Sequence, residues 1–266
     1  MSETKISIAT ARASSTVVLV REGETGPELL LVLRHAKSAF GASYVFPGGV
    51  LEAADAWVGN HGSGLDDAAT NSVLNLPTGA TAYFSAAVRE LFEEAGILLA
   101  RTAGGDWADP VPYASLRDDL NGGRLLWADF IRDKDLRLAY DALHYFSFWV
   151  TPREMPKRFS TRFFLAALPG EQEAEHCGGE LTDSRWMGAA QAIAANQAGE
   201  IDIPHPTVLT LQRLSKFGTV ESMLEWAAQC SKAGVDCYLP AIVTVAGCQQ
   251  VVMPDNPHYP TYPEDE

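Results

Sequence analysis

Three glutamates and one arginine fall within six residues of the stretch Ala87–Ile97, AVRELFEEAGI. Glu90, Glu93 and Glu94 recur at i, i+3 and i+4, so a helix through them places the three carboxylates on one face. Carboxylates this close repel one another. Arg89 is the only cation inside the cluster, one turn before Glu93 and placed to pair with it. Hard oxygen ligands left short of cations suit Mg²⁺ or Mn²⁺. The same pattern also describes an acidic face turned to water, which is the usual fate of a charge run.

The elements around this stretch must hold it in place. Val88, Leu91, Phe92 and Ala95 recur at i, i+3, i+4 and i+7, which predicts a buried stripe roughly opposite the glutamates. Gly96 can take the left-handed conformation that stops the helix. Thr78 or Thr81 is the expected cap at its start. Upstream, Ser15–Val20 and Leu29–Leu33 read as two strands around a Gly- and Pro-containing turn. A short strand at Tyr44–Phe46 leads into Pro47-Gly48-Gly49, where the backbone is free to approach a neighbour closely. Residues 56–80 carry Gly, Asn, Asp and Pro without clean periodicity and read as a long surface loop. Further strands are expected at Leu143–Val150, Arg162–Leu168 and Leu181–Met187. Helices are expected at Asp109–Leu120, Arg124–Arg132, Ala189–Ala198, Pro206–Lys216 and Val220–Lys232, with a final apolar run at Ala241–Ala246. This order fits a mixed sheet with helices on its faces better than a doubly wound parallel sheet.

Composition narrows the function. The 266 residues can bury a sizeable core, and 47% hydrophobic with 20% charged residues is ordinary for a globular protein. A net charge of -14 argues against non-specific nucleic-acid binding and against an anionic membrane surface. It leaves room for a phosphorylated small molecule, because a bound divalent cation reverses the local field. The absence of a secretory signal, of a membrane span and of a C-x-x-C pair among Cys177, Cys230, Cys237 and Cys248 leads to the expectation of a cytoplasmic protein with reduced thiols.

Gly48-Gly49 and RELFEEAGI together resemble the Nudix box. That pattern runs Gly, five residues, Glu, seven residues, Arg-Glu, aliphatic, any residue, Glu-Glu, any residue, Gly, aliphatic. Its second half is met at Arg89, Glu90, Leu91, Glu93, Glu94, Gly96 and Ile97. In its first half Asp55 stands where the family has Glu, and 33 residues (Ala56 to Val88) stand where the box has seven. The split box, together with FPGGVLEAAD, KRFSTRFFLAAL and LPAIVTVAG, resembles the peroxisomal coenzyme A diphosphatase branch of the Nudix family over roughly residues 15–252. In the coenzyme A motif upstream of the box, Arg34 stands for the first of two arginines and Ala39 stands near the second.

The resemblance implies an α/β fold: a Nudix-type α/β/α sandwich with a mixed sheet, an insertion inside the box and extra C-terminal helices. It divides the chain into a flexible tail at 1–13, a hydrolase domain at 14–253 and an extended acidic tail at 254–266. The domain carries the insertion 56–80 and a helical extension 189–232. The implied reaction is Mg²⁺- or Mn²⁺-dependent hydrolysis of a pyrophosphate bond in coenzyme A or acyl-coenzyme A. ADP-ribose, NADH or a dinucleoside polyphosphate is the alternative substrate, and a non-catalytic ligand-binding domain is a third reading. Glu90, Glu93 and Glu94 are the implied metal ligands, joined by the Gly49 carbonyl. Arg89 is expected to hold Glu93 or another carboxylate rather than touch substrate. Glu180 is the candidate general base, with Asp183 and His144 as alternatives. Arg34, Gly48, Gly49, Arg158 and Arg162 are the expected substrate contacts, and Trp149, Phe163 and Phe164 could stack on adenine or fill the core. The late helices and the 241–253 hairpin either cover the sheet or form a homodimer contact.

Overall fold

A computed structural model describes residues 8–34, 42–58, 61–175 and 181–262, and Ala39 and Glu180 lie outside them. β1 (Arg12–Gly23) and β2 (Gly26–Arg34) form the expected antiparallel hairpin. β3 (Tyr44–Val45) joins β2, and β4 (Gly48–Val50) joins β1. α1 (Ala53–Trp57), β5 (Gly62–Ser63) and α2 (Asp67–Leu74) lead to the glutamate-bearing helix α3 (Ala80–Ala95). β6 (Ala100–Arg101), α4 (Ala114–Asn121), α5 (Trp127–Asp133) and β7 (Arg137–Ala139) follow. β8 (His144–Val150), β9 (Phe159–Ala167) and β10 (Leu181–Gly188) then return to the main sheet. α6 (Ala189–Gln197), α7 (His205–Leu214) and α8 (Val220–Ala233) precede β11 (Cys237–Tyr238) and a separate hairpin of β12 (Ala241–Val245) and β13 (Cys248–Val252).

The main sheet runs β10-β2-β1-β9-β8-β11. It is mixed: β1/β9 and β8/β11 are parallel, and the remaining neighbours are antiparallel. The continuous apolar run of β1 exists because both faces of the sheet are covered. Val17 and Leu19 pack toward α3, while Val18 and Val20 pack with Leu211, Leu214, Met223 and Ala227 of α7 and α8. The chain is therefore an α/β/α sandwich, and the late helices cover the second face of the sheet. Among the described residues no helix is long and apolar enough to cross a membrane.

Helix α3 is buried along most of its length. Phe84 sits 4.8 Å from the ring of Phe164 and 5.3 Å from that of Tyr140, and Val88, Leu91, Phe92 and Ala95 fill the stripe that the spacing predicts. Gly96 ends the helix at φ 72°, its N–H donating to the Phe92 carbonyl at 2.9 Å. The start differs from expectation. Neither Thr78 nor Thr81 caps it. Gly79 is the cap residue at φ 80°, and the Ala80 N–H is satisfied by Asn71 Oδ1 at 3.0 Å, nine residues upstream.

That distant cap comes from residues 56–80, and here the expectation of a long surface loop is corrected. The segment holds the end of α1, a strand and a helix. Asp66 caps α2 by accepting from the Ala69 N–H at 2.8 Å, and Asn75 ends it in the left-handed region at φ 51°. β5 pairs with β7, and Val58 and Leu74 join the same core as α3. The excursion that splits the box is folded back against the helix whose first amide it caps. The ends also differ from expectation. β1 begins at Arg12, inside the expected tail, and the described part of the C-terminal tail turns back so that Tyr259 Oη donates to the Leu239 carbonyl at 2.7 Å.

Candidate active site

The register of β4 on β1 brings the two halves of the split box together. Thr16 pairs with Gly48 and Ser15 with Gly49, which lays the Gly-Gly strand across the acidic side of α3. A side chain at position 49 would be impossible without movement, since a Cβ there would lie 2.3–2.6 Å from the Glu90 carboxyl atoms. The Gly48 N–H donates to Glu94 Oε2 at 2.9 Å. Arg34, at the end of β2, donates through Nη2 to the Gly48 carbonyl and pairs with Glu94 Oε1 at 3.3 Å. The glutamates therefore do not form a solvated face. The Glu94 side chain is only 7% exposed, and Glu90 and Glu93 are also largely covered.

Arg89 lies at the centre of this cluster, 3% exposed. Its Nε and Nη2 donate to Asp55 Oδ1 at 3.1 Å and Oδ2 at 3.0 Å, a two-pronged pairing that suits a guanidinium and a carboxylate. Its Nη1 donates to Glu90 Oε1 at 3.0 Å and to Glu93 Oε2 at 2.9 Å, and Nη2 also reaches the Val50 carbonyl at 3.0 Å. Arg89 thus pairs with Glu93, one of the two kinds of partner expected for it, and also with Asp55 of α1. Asp55 is fully buried. It accepts from Ser85 Oγ at 3.1 Å and from the Glu52 N–H at 2.8 Å, closing a capping box at the start of α1. Trp127 Nε1 in turn donates to Ser85 Oγ at 3.0 Å. A run of hydrogen bonds thus leads from the core indole to the glutamates. The tight turn of α1 brings residue 55 close enough for the shorter Asp to reach Arg89.

Burial pushes the Glu93 carboxyl up to about 7, against the pull of Arg89 and with the neighbouring Glu90 adding to the rise. Burial raises Glu90 as well. Two guanidiniums, Arg89 and Arg34, face the four carboxylates Asp55, Glu90, Glu93 and Glu94, and a divalent ion would hold Glu90 and Glu93 ionised. Among the described residues no group of three acidic, His or Cys side chains forms a ready-made metal cage. The donor set still fits Mg²⁺, which takes one or two carboxylates and completes its shell with water and substrate oxygens.

The other expected residues are dispersed. Arg158 donates to the carbonyls of Thr151, Pro152 and Ala9, so it braces the β8–β9 connection. Arg162 is buried on the α3 face of β9, with Nη1 on Tyr145 Oη at 2.7 Å and its guanidinium 4.5 Å from the Phe148 ring centre. Asp183 accepts from Tyr44 Oη at 2.5 Å and Arg185 Nε at 2.8 Å, and these bonds hold its carboxyl below the usual range. His144 pairs with Leu165, several residues along the sheet from the row Ser15–Arg162–Phe148, and burial lowers its pKa. Phe164 is core, whereas Trp149 and Phe163 line a cleft of about 430 Å³ on the opposite face of the sheet, which Arg34, Gly48 and Gly49 also border. Sequence reasoning missed Ser85 and Trp127. A Ser and a Trp without a motif carry no signal until α1, α3 and α5 meet.

A mixed sheet between helical layers, with an acidic helix held against a Gly-Gly strand, is the architecture of a Nudix hydrolase. A structure of a NUDIX hydrolase from Alicyclobacillus acidocaldarius matches with a TM-score of 0.69 at 26% identity, covering 82% of this chain and 97% of that one. The family model described as the NUDT19 Nudix domain matches residues 64–214. The protein called acyl-coenzyme A diphosphatase NUDT19 from Homo sapiens is 30% identical over 88% of this chain and 72% of its own length. Its Xenopus laevis counterpart is 27% identical over 90% and 72%. The chain belongs to the NUDT19 group of the Nudix hydrolases.

Gly49 offers a test of the site that barely touches the fold. In Gly49→Ala the added methyl meets the far end of the Glu90 side chain, which can swing aside, so the melting temperature is expected to stay within about 3 °C. The displaced carboxylate is then misplaced for chemistry, and hydrolytic kcat/KM is expected to fall by about tenfold or more. A thermal melt and a steady-state assay check the two halves; an unchanged rate would detach Gly49 from the site.

Proposed function

We propose that this protein hydrolyses the pyrophosphate bond of coenzyme A or an acyl-coenzyme A, using Mg²⁺ or Mn²⁺. The observation that carries the reading is the closure of the split box: Glu94 is bonded to the Gly48 N–H at 2.9 Å across the whole insertion. The similarity to relatives called acyl-coenzyme A diphosphatases supports the substrate class. In this reading residues 14–253 form one hydrolase unit, and Glu90, Glu93, Glu94 and the Gly49 carbonyl hold the metal. A bound divalent ion would neutralise the pyrophosphate and lower the pKa of the attacking water. Arg89 is a positioning residue that fixes Glu90 and Glu93. Arg34, at the mouth of the cleft, binds a phosphate oxygen. Glu180 remains the candidate base. Water adds across the P–O–P bridge and yields adenosine 3′,5′-bisphosphate and phosphopantetheine, or its S-acyl form.

The test is a turnover screen of coenzyme A, ADP-ribose and NADH with Mg²⁺. Coenzyme A is expected to give the highest kcat/KM, with activity lost on chelation and restored by Mg²⁺ or Mn²⁺. Preference for ADP-ribose or NADH would move the substrate class. Metal binding without turnover of any of the three would leave a ligand-binding domain.

A further inference from the structure

We propose that the cleft behind the Gly48–Gly49 strand takes the pantetheine arm and S-acyl chain of the substrate, and that the β12–β13 hairpin selects for acyl length. The inference rests on the coenzyme A reading above and adds which half of the substrate lies where.

The cleft begins at the box and ends at the hairpin: Arg34, Gly48 and Gly49 border it at one side, Ile242 and Val251 at another. Between them the walls are largely apolar, built from Phe46, Trp149, Met155, Phe159 and Phe163. The two halves of coenzyme A differ sharply in charge. The adenosine half carries a 3′-phosphate and calls for cations. The arm carries a gem-dimethyl group, two neutral amides and the sulfur. Among the described residues the lining contains no lysine, its one arginine, Arg34, stands at the pyrophosphate end, and Asp202 adds a carboxylate that disfavours an anion. An apolar channel leading away from the reacting bond suits the neutral arm and excludes the anionic half.

Two polar atoms in the lining await a partner. Ser43 is 1% exposed, and its Oγ has no hydrogen-bond partner among the described residues; the same holds for Arg34 Nε. A buried hydroxyl left unpaired is costly, so a ligand that bonds it gains on entry. An arm amide meets the need of Ser43, and a phosphate oxygen that of Arg34. The hairpin wall is fixed from behind. Glu154 accepts from the Ile242 N–H at 3.2 Å and from Tyr262 Oη at 2.8 Å. Val251 is 49% exposed at the rim, a branched apolar side chain left in water until a chain covers it.

The experiment measures kcat/KM with Mg²⁺ for coenzyme A and its acetyl, butanoyl, hexanoyl and octanoyl thioesters. Wild-type protein is expected to gain about threefold per added pair of methylenes, a fraction of what full burial of two CH₂ groups supplies. Val251→Asp and Ile242→Asp change exposed or half-buried hairpin positions, and each is expected to lower the octanoyl-to-free ratio about tenfold. The wild-type series stands without the variants should either fold poorly. A flat length dependence overturns the inference. So does an equal loss on free and acylated coenzyme A, which would place adenine in the cleft. Those failures leave hydrolysis of coenzyme A intact. Absence of turnover on every thioester and on coenzyme A itself overturns the functional reading and this inference together.

Discussion

Glu94→Gln is expected to lower kcat by at least about a hundredfold, equivalent to about 2.7 kcal/mol of transition-state stabilisation. Glutamine has the shape of glutamate, so its Oε1 can keep the bond that the Gly48 N–H makes to the carboxylate at 2.9 Å. The Arg34 pair at 3.3 Å loses its charge, but Arg34 is 27% exposed and water compensates much of that loss. Stability should therefore change little while the negative charge offered to the metal disappears. An isostere that keeps the packing and loses the charge separates a ligand from a structural carboxylate. Thermal melting checks the first half, and steady-state rates across a Mg²⁺ titration check the second. A rate near wild type at every metal concentration would take Glu94 out of the metal site.

The sequence was most legible where one residue type repeats at a fixed spacing. The stripe Val88, Leu91, Phe92 and Ala95, the stop at Gly96 and the pairing of Arg89 with Glu93 are local consequences of a helix, and the structure contains all three. Tertiary contact decided the rest. Helix α2, DAATNSVL, buries only Thr70 and Leu74, so it carries too little apolar periodicity to be read as a helix. Its structural purpose, the Asn71 cap on Ala80, joins residues nine apart through a side chain and has no sequence signature. The glutamate face looked equally suited to water because nothing in AVRELFEEAGI records that β4 will lie across it. That burial follows from the pairing of Gly49 with Ser15, 34 positions upstream. Arg158 and Arg162 are, with Arg34, the basic residues that the sequence places nearest the expected cleft. The first is spent on backbone carbonyls and the second is enclosed by aromatic rings on the other face of the sheet.

The largest expected effect on stability is at Arg89. Arg89→Met is expected to lower the folding free energy by about 3–5 kcal/mol, the range for breaking a buried ion pair by removing one partner. The cost lies less in the lost attraction than in what remains. Asp55 is fully buried, and without Arg89 its carboxylate keeps, among the described residues, the Ser85 hydroxyl and the Glu52 N–H. Glu90 and Glu93 lose their common cation at the same time. Asp55→Asn alone removes the buried charge and leaves Arg89 two carboxylates, so it should cost less than Arg89→Met. The double variant should then be more stable than the sum of the single losses predicts, with a coupling of about 1–3 kcal/mol, because the unpaired charge that dominates the Arg89 variant is gone. Urea denaturation of the four proteins in chelator measures the cycle. Repeating it with Mg²⁺ asks whether the metal assumes part of the role of Arg89. A divalent ion held by Glu90 and Glu93 would supply the cation they lost but would leave the buried Asp55 without a partner cation. Added metal should therefore recover only part of the loss in Arg89→Met. Additive losses in chelator would mean that Asp55 and Arg89 act independently, and the 3.0 Å contact between them would then carry no energetic weight.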